Sequence, residues 1–563
     1  MHSIEVVLIM LLAVIASSYL VRALPFSVPL PLAQIALGVL IAATLSDSTV
    51  ELKSEIFLFV FLPPLLFLDG WRIPKTSLFH DKVTVISLAF GLVIFTVLGV
   101  GFLIYWLVPG MPLPVAFALA AVVSPTDPVA VSSIVSRCAM PKRLMHILEG
   151  ESLLNDASGL VCFRFAVVAA TTGLFSLGSA SLTFLWMAVG GVALGIAVTL
   201  AISYAHFWLS RRWGEESGAA ILTNLMIPFG AYLAAETFHA SGILAAVAAG
   251  ITMSYIELSG RAMAATRVQR TAVWDMARFA LNGLMFVLLG EQLPAIVSRA
   301  MNTVGEAGEY GTSSVWLIVC ALVITVALIG LRYVWVWVSL RLMLFFARRS
   351  GNRAGDEIVE VDSRVVPVMS LAGVRGAVTL AGVLSLPLVM KHDGSPFPAR
   401  DQAIFLAAMV ILISLVAASV LLPWLLRGRA MSVPEVSVEE RKEENAIRAA
   451  AAAAIKAVEE AGHEMAVNDP DADEIGLYTQ ATQRVIETYR DRFADEPYAV
   501  DEGQFLRNAD GIELKLRQIA LKAERDTIAR LAQTRHISDD VFRRLMDRID
   551  FLSVAHHPET RHH

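Results

Sequence analysis

Residues 124–128 read Ser124-Pro125-Thr126-Asp127-Pro128, and they interrupt an apolar stretch over 114–136. A helix crossing the hydrocarbon core of a bilayer needs roughly 20 mostly apolar residues, so 114–136 is long enough to span. Each proline, however, lacks an N–H and clashes with the carbonyl four residues back. Two of them so close together predict a helix opened between about Ala121 and Pro128. Freed carbonyls, the Thr126 hydroxyl and the Asp127 carboxylate then lie together at mid-membrane depth, which in composition is a site for a hard cation. A second interruption answers the first. Within the apolar stretch 366–390, Gly373-Val374-Arg375-Gly376-Ala377 places two helix-loosening glycines around a buried arginine. Such an arginine can compensate Asp127 and the negative ends of the half-helices, so that neither charge stands alone.

The composition says how many such stretches to look for. Of 563 residues, 56% are hydrophobic and only 17% charged, with a mean hydropathy of +0.63; soluble globular chains carry roughly 25% charged residues. Residues 1–429 hold 27 basic and 24 acidic side chains, whereas the last 134 residues hold 18 and 27. This division predicts an all-α polytopic membrane domain over 1–429 and an acidic cytoplasmic tail over 430–563. It excludes a secreted protein, a nucleic-acid binder and a single-anchor receptor. Thirteen spans are expected, at about 4–21, 30–46, 53–70, 84–107, 114–136, 144–171, 182–209, 219–237, 240–256, 272–293, 314–345, 366–390 and 403–426. The first reads as a retained helix rather than a signal peptide, because Glu5 and no Lys or Arg precede its apolar run. With the N-terminus outside, sixteen Lys and Arg residues fall in inner loops and four (Lys53, Arg299, Lys391 and Arg400) in outer loops, a strong positive-inside bias that leaves the tail in the cytoplasm. Spans five and twelve are then antiparallel, as in an inverted-topology repeat. Cys138, Cys162 and Cys320 lie in or beside apolar stretches, a pattern that does not suggest a disulfide framework.

An ionisable residue inside a span is costly and marks function by default. Span six holds the densest acidic segment, Glu149-Gly150-Glu151-Ser152-Leu153-Leu154-Asn155-Asp156. Helical spacing puts Ser152, Asn155, Asp156 and Gly159 on one face. Asp156 supplies a carboxylate there, with Asn155 and Ser152 as neutral oxygen donors. A buried carboxylate of this kind holds a proton or a metal cation but not both comfortably, and that competition is the physical core of cation/proton exchange. Glu151 and Arg332, each intolerable alone in lipid, are expected to form a structural buried ion pair. Asp69, after Pro63 and Pro64, either lines an access cavity or meets cytoplasmic water. Glu236, Asp275, Arg278 and Arg164 lie nearer span ends, where interfacial anchoring is expected, and His146 and His239 read as ordinary loop histidines.

The tail reads as helical over Glu439 to Glu460, 475–494, 510–532 and Ile537 to Leu552, the last capped by Ser538. Its alternating charges are expected to face solvent, with a regulatory or dimer-docking role as the sharper alternative.

The segments 124–128, 149–156 and 373–377, together with Phe61-Leu62-Pro63-Pro64-Leu65-Leu66-Phe67-Leu68-Asp69-Gly70, resemble the signature segments of the sodium/proton exchangers, and more narrowly the electroneutral branch of the monovalent cation:proton antiporters of bacterial type. The resemblance covers roughly residues 1–430. It implies thirteen helices in two inverted six-helix repeats with interrupted crossing helices, a core domain and a dimerisation domain, a homodimer, and elevator-like alternating access. It also implies that Asp156 binds the sodium ion and the proton, with Ser152 and Thr126 as further sodium ligands and Asn155 as the preceding asparagine. Asp127 and Arg375 resemble the pair at the helix crossing, Glu151 and Arg332 the core-stabilising pair, and Asp69 an acidic residue of the ion pathway. Asn-Asp in place of Asp-Asp implies one-for-one, electroneutral exchange. The expectation is therefore a plasma-membrane sodium/proton antiporter that is not an enzyme and uses no cofactor. Potassium or lithium in place of sodium is the first alternative; a cation channel and a transporter-like sensor are the others. No P-loop or nucleophile–base set is evident.

Overall fold

The computed structural model describes residues 2–24, 28–44, 54–72, 82–135, 140, 142–172, 177–214, 216–257, 264–306, 314–349, 364–389, 396–426, 436–468, 472–491, 509–534 and 536–555. Among these, regular structure is helical apart from an isolated antiparallel bridge between Val389 and Pro396. Hydrocarbon cannot satisfy backbone N–H and C=O groups, so runs this apolar close their hydrogen bonds internally. The membrane part consists of α1 (His2–Ala23), α2 (Leu30–Thr44), α3 (Ser54–Arg72), α4 (Lys82–Ile86, a π turn Ser87–Leu92, then Val93–Leu107), α5 (Leu113–Val123), α6 (Pro128–Val135), α7 (Lys142–Thr172), α8 (Leu177–Trp213), α9 (Ser217–Thr237), α10 (Gly242–Glu257), α11 (Ala264–Glu306), α12 (Ser314–Arg349), α13 (Val365–Leu371), α14 (Ala377–Leu384) and α15 (Arg400–Leu426). Eight helices among the described residues are long and apolar enough to cross a membrane. Their outer surface exposes Trp106, Tyr204, Trp186 and Val326, an apolar face suited to lipid and not to water.

Two interruptions organise the interior. One lies between α5 and α6, the other between α13 and α14, at the two places where the prolines and glycines forecast them. The expected span 272–293 is part of a longer helix, α11, whose ends carry enough polar residues to hide its length from a hydropathy reading. Close packing of α2 on α11 depends on Gly38 and Gly290: a Cβ on either would stand 2.0 Å from a backbone carbonyl oxygen of the other helix.

The tail forms α16 (Val436–Asn468), α17 (Ala472–Asp491), α18 (Ala509–Gln533) and α19 (Asp539–Ala555); residues 492–494 of the expected second tail helix lie outside the described residues. Ser538 caps α19, its hydroxyl accepting from the Val541 N–H at 3.4 Å. The expectation that the tail's charges face solvent is corrected at α19. Its apolar stripe, Val541, Phe542, Leu545 and Ile549, packs within the tail on Ala446, Ala450 and Ile528. Its polar stripe docks on the membrane domain. Asp550, 1% exposed, accepts from Nε of the buried Arg267 at 2.5 Å and from Arg525 at 3.0 Å. Arg543 donates to the carbonyls of Trp71 (2.6 Å) and Arg72, capping the C-terminus of α3. Asp540 meets His146 Nε2 at 2.8 Å, so His146, on α7 and not in a loop, has a partner.

Burial alone would push the Asp540 carboxyl up, but the hydrogen bond and charge of His146, with Arg543 and Arg544 nearby, hold it below the ordinary value of 3.8. The docked carboxyl takes up a proton less readily than a free one. This contact therefore favours docking above the ordinary carboxylate range and is lost as pH falls through the lowered value. Asp550→Asn leaves Arg267 buried with a neutral partner. Breaking a buried pair costs about 3–5 kcal/mol, so hydrogen exchange at neutral pH should show residues 539–555 losing protection by a comparable margin while α7 and α11 stay protected.

Candidate functional site

The two interrupted helices cross. The Asp127 N–H donates to the Val374 carbonyl at 2.8 Å, tying one break to the other. Arg375, 2% exposed, donates through Nε to the Val123 carbonyl at 2.8 Å and through Nη1 to the Gly373 carbonyl, while its N–H donates to Ser414 Oγ at 3.2 Å. Val123 is the last residue of α5, so the guanidinium lies at the negative end of that half-helix. Asp127 is placed differently: a Cβ on Gly376 would stand 2.0 Å from Asp127 Oδ2. The carboxylate thus abuts the residue that opens α14, whose helix start favours negative charge. Glycine is required there by close approach. Gly376→Ala should push Asp127 away from the crossing and lower cation flux in vesicles by about tenfold or more, since even a 1 Å displacement at such a site is costly.

α7 supplies the third wall. Ser152 Oγ donates to the Thr126 carbonyl at 2.8 Å, and Asn155 Nδ2 donates to Thr126 Oγ1 at 3.0 Å. Gly159 lets α7 close on the break: a Cβ there would stand 2.4 Å from Pro125 Cγ. The face read from helical spacing is therefore the face that meets the opened segment. Asn155 Oδ1 is buried with no hydrogen-bond donor, an open acceptor beside Thr126. Asp156, 8% exposed, joins Asp69, Thr126, Asp127, Ser152 and Thr379 in lining a cavity of about 40 Å³. That is room for a small ion or a water-sized occupant against the carboxylates. Among the described residues no group of three or more His, Cys, Asp or Glu is placed to hold a metal ion. The carboxylates, hydroxyls and carbonyls here suit a hard cation instead.

Around this centre the charged residues pair. Glu151 and Arg332, 0% and 1% exposed, form a bidentate pair, with Nη2 to Oε2 at 2.6 Å, and Arg332 Nε donates to the Met369 carbonyl at 2.8 Å. The pair joins α7 to α12 and, through Met369, answers the C-terminal end of α13. Each interrupted helix thus has one arginine on its first half. Asp69 stands 4.0 Å from Arg278, and together they line a second cavity of about 250 Å³ with Ser152, His146, Glu149 and the tail's Asp540. Asp69 therefore lines a cavity that reaches the site. The residues expected to act only as interfacial anchors have partners as well: Arg72 meets Asp275 at 2.5 Å and Arg164 meets Glu236 at 3.1 Å. Thr96, whose hydroxyl pairs with Ser124, and Thr379 escaped the sequence reading because neither carries a charge nor breaks a helix.

Crossed, interrupted helices with a buried carboxylate and oxygen donors between them define a secondary transporter of small cations. The comparisons agree: residues 7–428 match the family described as sodium/hydrogen exchanger, transmembrane, and the chain belongs to that family of membrane antiporters. It is 40% identical over 551 residues, 97% of this chain and 98% of the relative, to a protein named uncharacterized Na(+)/H(+) exchanger YjcE of Escherichia coli (strain K12). It is 38% identical over 554 residues, 97% of this chain and 77% of the relative, to a sodium, potassium, lithium and rubidium/H(+) antiporter of Bacillus pumilus. Its fold is similar to that of the sodium proton antiporter MjNhaP1 of Methanocaldococcus jannaschii, with a TM-score of 0.55 and 18% identity over 76% of this chain and 99% of that one.

Proposed function

We propose that the chain exchanges sodium for a proton across the plasma membrane, with Asp156 holding either the ion or the proton and Ser152 and Thr126 supplying further sodium ligands. The observation that carries this reading is the small cavity where Asp156 faces the opened segment 124–128. Asn155 and Asp127 shape that segment, and Asp69 leads to it. Asp156 is the carboxylate that α7 brings to this small cavity, which supports one-for-one, electroneutral exchange. The antiparallel interruptions support thirteen spans in two inverted repeats, with the core carrying the ion past a dimerisation domain by an elevator-like movement, in a homodimer with the N-terminus outside. Residues 1–429 form the transport domain in this reading and 430–563 its cytoplasmic tail.

Sodium, lithium and potassium titrations of proton flux in proteoliposomes between about pH 6 and about pH 9 test the assignment. Sodium should drive flux with no net current at any imposed membrane potential. A transport current overturns electroneutrality, and absence of cation-driven proton flux overturns antiport. Potassium/proton exchange on the same scaffold is the second reading, favoured by the breadth of cations in the name of the Bacillus pumilus relative; flux driven equally by potassium establishes it.

A further inference from the structure

A cavity of about 280 Å³ lies among α8, α9, α10 and α11, and it shares no lining residue with the helix crossing. It sits toward the end of the bundle where α8 gives way to α9 and α10 to α11. Its walls are largely apolar, formed by Leu200, Phe207, Ile227, Met253 and Ile256, and Tyr204 on its rim is 73% exposed on the outer surface. Just beyond the rim, the Arg212 guanidinium stacks on Trp208 and Trp213 at 5.9 and 5.5 Å from the ring centres. Amphipathic aromatic and basic side chains of this kind gather at the depth of lipid headgroups. The cavity therefore runs inward from headgroup level.

Two buried donors in this apolar space lack acceptors. Asn224 is 3% exposed; its Oδ1 accepts from Trp274 Nε1 at 2.7 Å, but its Nδ2 has no partner. Arg270 is 5% exposed; it pairs through Nη2 with Glu257, and its Nε has no partner. Glu257 is committed on both oxygens, to Arg270 and, at 2.6 Å, to Trp71 Nε1, so its charge is already answered. Buried donors left unmade are costly. Both of these line one cavity that opens on the membrane-facing surface, where the amphiphile at highest concentration is lipid. Arg211 and Arg212 at the same end favour negative headgroups over neutral ones.

We propose that this cavity binds one anionic phospholipid, its phosphate oxygens accepting from Asn224 Nδ2 and Arg270 Nε and one acyl chain lying against Leu200, Phe207 and Met253. Native mass spectrometry of the delipidated full-length protein tests this, using added phosphatidylglycerol and phosphatidylcholine with identical chains. The wild type should retain a single phosphatidylglycerol about tenfold more strongly than phosphatidylcholine, because Arg211 and Arg212 near the rim disfavour the positive choline. Asn224→Asp keeps the acceptor for Trp274 but replaces the free donor with a carboxylate, and it should weaken retention of both lipids by about tenfold or more, because each presents the same phosphate to it. Ser203→Trp places an indole in the cavity while leaving Asn224 and Arg270 in the sequence and should lose the bound lipid altogether, which keeps the test decisive if Asn224→Asp fails to fold. Equal retention of both lipids, unchanged retention in Ser203→Trp, or selective retention of free palmitate over phosphatidylglycerol each overturns the proposal. So does a lipid-free complex of two chains that buries Tyr204.

Discussion

Asp156→Asn should reduce sodium-driven proton flux to the background of protein-free vesicles while the protein still folds. Asparagine matches the shape of the carboxyl and keeps an oxygen, so the cavity and the contacts of Ser152 and Asn155 with Thr126 need not change. What disappears is the group that can be neutral with a proton or neutralised by a cation. Without it the loaded and returning states differ by an uncompensated charge at membrane depth, which is expensive. The melting temperature should move little, because one buried carboxylate is replaced by a neutral amide. Near-normal exchange in this variant would remove Asp156 from the centre of the mechanism.

Glu151→Ala should act the other way, on the fold. It strips the bidentate partner from Arg332 in a site where the guanidinium is 1% exposed. Removing one member of a buried pair costs about 3–5 kcal/mol, whereas replacing both by apolar residues of similar volume is often neutral. Thermal melts should therefore show a large loss for Glu151→Ala and a partial recovery for Glu151→Leu combined with Arg332→Leu. The recovery is incomplete, because Arg332 Nε also holds the Met369 carbonyl at the end of α13, and that carbonyl is left unanswered in the double variant. Full recovery would show that this cap contributes nothing.

The centre of the site was legible in the sequence because helix breaking is local chemistry. Pro125 and Pro128 open their own helix wherever the chain is folded, and Gly373 and Gly376 flank the second break in the same way. The i, i+3, i+4, i+7 face of α7 followed from spacing alone, and the buried arginines were conspicuous because nothing else tolerates them in lipid. Which carbonyl each arginine meets was not legible, since Val123, Gly373 and Met369 differ in no way from their neighbours in sequence. Nor was the placement of Asp127 against Gly376, which depends on how the two breaks cross.

The tail was misread for a related reason. Charged residues at helical spacing look the same facing water or facing a partner, so Asp540, Arg543 and Asp550 gave no separate signal, and Arg267 and Arg270 were counted only among the sixteen inner-loop charges. One clue was present. Val541, Phe542, Leu545 and Ile549 make a narrow apolar stripe, which α19 buries within the tail, turning its opposite, charged face toward α3, α7 and α11. An amphipathic last helix with acids spaced along its polar side is a sign of two partners, one on each face.

Calorimetric titration of sodium into the purified protein, run in two buffers of different ionisation enthalpy, tests most directly that one carboxylate serves both ion and proton. The account predicts that each sodium bound releases about one proton at a pH where Asp156 is protonated in the empty protein, and that Asp156→Asn abolishes both the binding heat and the release. Sodium binding without proton release, or binding undiminished in Asp156→Asn, would contradict it.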